Sequence, residues 1–170
     1  MDTFLAIVSR REVRAYADRQ VPEEVQHRIL EAGRVSGSSA NKQQWRFVVV
    51  ESQGAKQRVS ETVYVPANLT TSAFSVAVVT YGKGPAGFDA GRTAQNMMLA
   101  AWNEGVGSCP NAWPDRAAAR AALGAGEDED PVIVVSFGYP AKPADPESRS
   151  PEEWIAAANR KPFDEVVTRI

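Results

Sequence analysis

Three strand-length apolar runs, each set between helix-forming segments, constrain this chain more than any other feature. Trp45 to Glu51, Ser75 to Tyr81 and Val132 to Phe137 are rich in β-branched residues and barely alternate with polar ones. Such runs read as strands buried on both faces, and at this length none approaches the roughly 20 residues that a membrane helix needs. The segments between them must supply the covering layers. The fold class is therefore α+β, with one sheet flanked by helices.

The covering helices carry ordinary punctuation. Phe4, Leu5, Ile7 and Val8 form a short N-terminal helix that runs into a basic cluster. A second helix has Pro22 in its first turn, Glu23 and Glu24 at its positive end, and Val25, Ile29 and Ala32 at helical spacing, with Gly33 to Gly37 closing it. Ala55 to Tyr64 is weakly helical. Asp89 to Glu104 is the strongest helix, with Ala94, Met97, Met98, Ala101 and Trp102 on one face, and Gly105-Val106-Gly107-Ser108 stops it. Pro114-Asp115 opens an Ala-rich helix ending near Leu123-Gly124, and Glu127 to Asp130 reads as a solvated turn. After Tyr139, prolines 140, 143, 146 and 151 mark an extended connection to a helix around Trp154, and Phe163 to Ile170 fits either helix or strand. So long a tail has little core of its own, and a dimer whose tails embrace the partner accounts for it.

Composition removes several function classes. The chain has 170 residues, 44% of them apolar, with 19 Lys+Arg against 21 Asp+Glu, which suits a single domain over residues 1–170 and leaves no basic footprint for nucleic acid. One Cys and one His supply neither a disulfide framework nor a structural zinc site, and no metal is expected. Asp2 and the Ser9-Arg10-Arg11 stop do not fit a secretory signal, so a cytoplasmic setting away from membranes is expected. Gly105-Val106-Gly107 and Gly82-Lys83-Gly84 lack phosphate-loop spacing and read as turns. His27 lies on a polar helix face, and Cys109 reads as a small buried thiol without a base beside it.

Two groups remain as candidates for a site. Arg10, Arg11 and Arg14 fall within five residues just past the first helix, an arrangement that serves a solvated helix end or a phosphate equally well. The loop Ser38 to Gln44 offers hydroxyl and amide groups able to read a heterocycle edge.

Taken in order, the segments resemble the FMN-dependent nitroreductase family. The resemblance is carried by Arg10-Arg11-Glu12-Val13-Arg14, Val21-Pro22, Ile29-Leu30-Glu31-Ala32, the run Ser38 to Val50, Asp89 to Ala101, Gly105 to Cys109, Phe137-Gly138-Tyr139-Pro140 and Arg160 to Val167, which together span nearly the whole chain. It implies a nitroreductase-like mixed sheet and a homodimer, with the tail from Phe163 to Ile170 packed on the partner subunit and an FMN site at the interface. Arg10 and Arg160 would hold the phosphate, with Arg11 in the same basic cluster, and Arg14 would reach the ribityl chain and pyrimidine edge. Ser38, Ser39 and Asn41 would approach the flavin from the partner, with Gln43 and Trp45 serving that loop and the interface. Backbone around Cys109, Pro110, Asn111 and Ala112 would lie beside the ring near N5.

The implied chemistry needs no catalytic side-chain acid or base. NADH or NADPH would pass hydride to flavin N5, and a nitroaromatic, quinone or other planar acceptor would collect it in a ping-pong exchange. A cation such as Arg14 would stabilise the charge of the reduced ring. Relatives that remove halogens or fragment flavin, and a degenerate member acting as a weak flavin-binding module, are the alternative readings. Glu12 stands where the family usually has Ser or Thr near the phosphate, which requires the carboxylate to turn outward or to pair with an arginine. Gly37 and Gln44 replace common prolines. Only seven residues join Tyr81 to Asp89, which leaves the site over the flavin open, with Trp102 and Trp113 the aromatics to follow.

Overall fold

The computed structural model describes residues 1–170. Its centre is a four-stranded sheet made of β1 (Trp45–Val50), β2 (Phe74–Tyr81), β3 (Gly107–Asn111) and β4 (Glu129–Gly138), in the order β1-β2-β4-β3. Every strand pairing is antiparallel, with Trp45 opposite Thr80, Phe74 opposite Phe137, and Gly107 opposite Gly138. The expected mixed sheet is thus corrected to an antiparallel one, and parallel pairing is limited to an isolated bridge between Glu12 and Ser108.

Both faces of the sheet are covered, which explains the unbroken apolar runs. On one face, α2 (Glu23–Arg34) and α5 (Ala86–Asn103) place Ile29, Met97 and Ala101 against Val76, Val78, Val135 and Phe137. On the other, α3 (Gln53–Ser60), α4 (Ala67–Thr70) and α6 (Arg116–Leu123) contribute Val59, Leu69 and Ala119 to a smaller cluster with Ala77 and Val134. Residues alternate between these two cores along β2 and β4, so neither strand has a wet face. Phe74 and Phe137 stack across the strand pair with ring centroids 5.0 Å apart.

Several boundaries differ from the sequence reading. The fourth strand, β3, occupies residues read as a helix stop, and Glu129 and Asp130 belong to β4 rather than to a solvated turn. Their carboxylates pair with Arg46 and Arg116. The helix expected from Asp89 begins at Ala86, the weak helix of 55–64 is Gln53–Ser60, and α4 was not anticipated. Gly33 lies inside α2, where a Cβ would come within 3.0 Å of Met97 and Phe47.

The N-terminal helix α1 (Thr3–Ser9) is capped by Asp2, whose carboxylate accepts from the Leu5 N–H. It buries Ala6 and Ser9 and leaves Phe4 and Ile7 about half exposed. Trp102 of α5 is core, as read, and donates its indole N–H to the Ser9 hydroxyl at 2.9 Å. The tail returns to α1 through α7 (Pro151–Ala157), which begins with a full capping box at Ser150 and Glu153. Phe163–Val166 makes one helical turn, α8, and residues 163–170 are exposed throughout this single chain.

Candidate active site

The opening segment is positioned by contact with the sheet edge. After α1 ends, Glu12 is bridged to Ser108 of β3 and the Val13 N–H donates to the Ser108 carbonyl at 3.0 Å, while Tyr16 is bridged to Pro140 just past β4. Two glycines allow this approach. A Cβ on Gly107 would sit 2.6 Å from Val13 Cγ2, and one on Gly138 would sit 2.8 Å from Tyr16 Cδ1. Tyr16 completes the attachment, its hydroxyl lying 2.8 Å from Ser136 Oγ, and burial pushes its phenol up from the ordinary value.

This attachment brings the two ends of the chain together. Arg10, Arg11 and Arg160 line one cavity of about 290 Å³ with Ile7, Val8, Gln95, Ile155 and Ala158. Arg11 is fixed in its wall: it donates to the carbonyls of Val8, Arg10 and Trp154 and stacks over the Trp154 ring at 5.0 Å. Arg149 covers Trp154 at 4.9 Å, so two guanidinium groups grip one indole. Burial first, then repulsion from Arg160, Arg10 and Arg149, lowers the Arg11 pKa from its ordinary value. A cavity lined by three arginines is chemically suited to an anion.

Glu12 is paired rather than turned outward. Its Oε1 accepts from Arg10 Nη2 at 2.8 Å, while Arg10 Nη1 and Glu12 Oε2 are buried without any partner. An unpartnered guanidinium N–H beside two further arginines fits a phosphate group, whose oxygens are acceptors in the geometry arginine prefers. The residues present therefore fit the phosphate end of FMN. Arg14 is exposed further along the segment and stands outside the chain's ion pairs.

The strand β3 turns its side chains inward. Cys109 is 3% exposed and its thiol is pushed up by burial and then by Glu12, which makes it a poor nucleophile. Asn111 is held by the Asn68 side chain at 2.6 Å and the Val65 carbonyl at 3.2 Å. Only Pro110 of these three is less than fully buried, so the segment can offer backbone rather than side chains to a ligand.

The loop Ser38 to Gln43 is preorganised but lies elsewhere on the chain. Ser38 Oγ accepts from the Gln43 N–H, the Ser39 N–H donates to Asp89, and Asn41 Oδ1 accepts from Gln43 Nε2. Ala40, Asn41 and Gln43 all have φ near +50°. Three non-glycine residues in the left-handed region carry strain that only a well-determined loop retains. None of this loop lines the arginine cavity within one chain. Trp45 is buried in the main core, and Trp113 is buried with its indole N–H unpartnered.

Sequence reasoning missed Trp154, which holds Arg11 in the cavity wall, Arg149, which packs on Trp154, and Asn68 as the partner of Asn111. The available signal was a lone tryptophan in a polar tail flanked by arginine, a usual mark of an anchoring residue.

Comparison with known proteins identifies the family and the fold. The profile described as the Nitroreductase family matches residues 7–77 and 86–139. A protein of Methanothermobacter thermautotrophicus named "Putative NADH dehydrogenase/NAD(P)H nitroreductase" is 32% identical over 152 residues, covering 84% of this chain and 79% of its own. A crystal structure from Bacteroides thetaiotaomicron bearing the same name is 26% identical, with a TM-score of 0.79 over 90% of this chain and 95% of that one. The "putative nitroreductase in complex with fmn" from Desulfovibrio desulfuricans shares the fold, with a TM-score of 0.83 at 24% identity over 100% of this chain and 98% of that chain. With the family profile matched across both segments and a 32% identical relative covered over most of its length, this chain belongs to the nitroreductase family.

Proposed function

We propose that this protein is an FMN-dependent NAD(P)H oxidoreductase that works as a homodimer. The observation that carries the reading is the convergence of Arg10, Arg11 and Arg160 on one cavity, with a buried Arg10 N–H left to be filled. When bound, FMN supplies two-electron chemistry at N5, moving hydride from NADH or NADPH to a nitroaromatic, quinone or similar planar acceptor in a ping-pong exchange. The protein supplies position and field. Arg10, Arg11 and Arg160 hold the phosphate, Arg14 offers a cation to the pyrimidine side, and backbone at Cys109, Pro110 and Asn111 borders the ring. No side-chain acid or base is assigned to the transfer, which suits a chain whose thiol and imidazole lack catalytic partners.

The second subunit completes the site. Ser38, Ser39, Asn41 and Gln43 are ordered by their own hydrogen bonds yet stand away from the arginines of their own chain, as donors to a partner's ligand would. Phe4, Ile7, Phe88, Ile155 and Phe163 are half exposed or more, which is apolar surface that a partner and its exchanged tail would bury. The short connection Gly82–Pro85 leaves little material for a lid, which favours planar acceptors of various shapes.

The test is an anaerobic titration. Purified protein mixed with FMN and passed through gel filtration should retain about one flavin per chain, bleach on addition of NADH or NADPH, and recover colour with a quinone or nitroaromatic. Two-substrate kinetics should give parallel double-reciprocal lines. Protein that sheds FMN completely, or intersecting lines, would overturn the proposal.

A further inference from the structure

We infer that Glu12 recognises the ribityl chain of the flavin, its free carboxylate oxygen accepting a hydrogen bond from a ribityl hydroxyl. The inference rests on the flavin reading above and assigns a task to Glu12, a carboxylate that a phosphate alone leaves unexplained.

The first argument is polarity. Arg10 Nη1 and Glu12 Oε2 are neighbours through their shared ion pair, both buried and both unpartnered, one a donor and the other an acceptor. Buried groups of this kind are costly to leave open, and charged ones more so. A phosphate offers only acceptors at neutral pH, so it satisfies the guanidinium and leaves the carboxylate oxygen facing negative charge. A hydroxyl supplies the missing donor. The flavin places hydroxyls directly next to its phosphate, so one ligand answers both orphans.

The second argument is spacing. Arg10 and Glu12 project to the same side of the opening segment, where their side chains pair at 2.8 Å. The phosphate cavity lies at Arg10. Glu12 lies further along the segment, towards β3, where the Val13 N–H donates to the Ser108 carbonyl at 3.0 Å. A flavin with its phosphate held at Arg10 would bring its polyol, the group bonded to that phosphate, within reach of the side chain paired with Arg10. Glu12 cannot swing aside cheaply, because its backbone is bridged to Ser108 and the next residue packs on Gly107.

The test compares three flavins that differ in one part each. Dissociation constants for FMN, riboflavin and lumiflavin, which lacks the ribityl chain, are measured by flavin fluorescence quenching on the full chain and on Glu12→Ala and Glu12→Gln. Arg160→Ala serves as the phosphate control, and circular dichroism checks that each variant is folded. Glu12→Ala should weaken FMN and riboflavin alike, by about tenfold or more, as loss of a charge-assisted hydrogen bond predicts, and leave lumiflavin unchanged. Glu12→Gln, which keeps an acceptor and the side-chain volume, should lose less. Arg160→Ala should weaken FMN alone. Tighter FMN binding in either Glu12 variant with riboflavin unchanged would show a carboxylate that only repels phosphate, and so overturn the inference. Unchanged affinities for all three flavins would overturn it too, while the flavin reading stands. A wild-type chain that binds neither FMN nor riboflavin removes both.

Discussion

Replacing Gly107 by Ala tests whether the opening segment is held to the sheet by close approach. In an unobstructed strand this change stabilises a protein by about 0.4–1 kcal/mol, because it restricts the unfolded chain. Here the new methyl would stand 2.6 Å, 2.7 Å and 2.9 Å from three Val13 atoms, against 3.4 Å for the start of ordinary contact. Val13 must move by several tenths of an ångström, and its neighbours Glu12 and Arg14 move with it. Overpacking of this kind costs about 1–3 kcal/mol, so the net effect should be a destabilisation of about 1–2 kcal/mol. In a chain of this size that lowers Tm by roughly 2–8 °C. Urea unfolding followed by tryptophan fluorescence measures it directly, and FMN affinity should fall in parallel. The double variant Val13→Gly/Gly107→Ala removes all three obstructing atoms, so its loss should be smaller than the sum of the two singles by about 1 kcal/mol. A Gly107→Ala protein as stable as the parent, or strictly additive singles, would refute the argument.

Two further outcomes follow from pairs already described. Trp102→Phe removes the indole donor to Ser9 and should cost about 1–2 kcal/mol, while adding Ser9→Ala should recover part of that loss, both read by urea midpoints. Glu129 is held down to about 2, first by the Arg46 guanidinium and then by the Gly126 N–H. A carboxyl with a depressed folded pKa contributes stability above its ordinary value and loses it as pH falls through the folded value. The stability gap between the parent and Glu129→Gln should therefore be flat from pH 5 to 8 and shrink towards about pH 2; a gap that persists at the acid end would contradict the pairing.

The parts of the fold that were legible in the sequence are those whose residues carry their own reason. Buried runs such as Val76 to Val79 need covering on both faces, and α5 announces itself by Ala94, Met97 and Ala101 at helical spacing. Strand β3 has no such signal: Gly107, Ser108 and Pro110 are poor strand formers, and the segment is a strand because β4 and Val13 make it one. Glu129 and Asp130 read as a wet turn because their partners, Arg46 and Arg116, are distant in sequence. The site divides in the same way. Local composition marked Arg10 and Arg11, but only the family resemblance pointed to Arg160, about 150 positions away, and the cavity brings the three together. The same resemblance nominated Ser38 to Gln43, and the single chain holds them apart from the arginines, because their local hydrogen bonds fix their shape and say nothing of what they face.

In the proposed flavin-bound protein, the packing of Arg11 and Arg149 on Trp154 would tie cofactor affinity to the docking of the tail. Arg160 follows α7, which packs on α1, and Arg160, Arg10 and Arg149 each repel Arg11 there. The observed dissociation constant is then the intrinsic one divided by the docked fraction. An anion in the cavity cancels the repulsion, so ligand and tail stabilise each other by the same free energy, whichever arrives first. Salt weakens both partners of that exchange at once, and a tail ordered by any other contact would raise cofactor affinity without touching the cofactor.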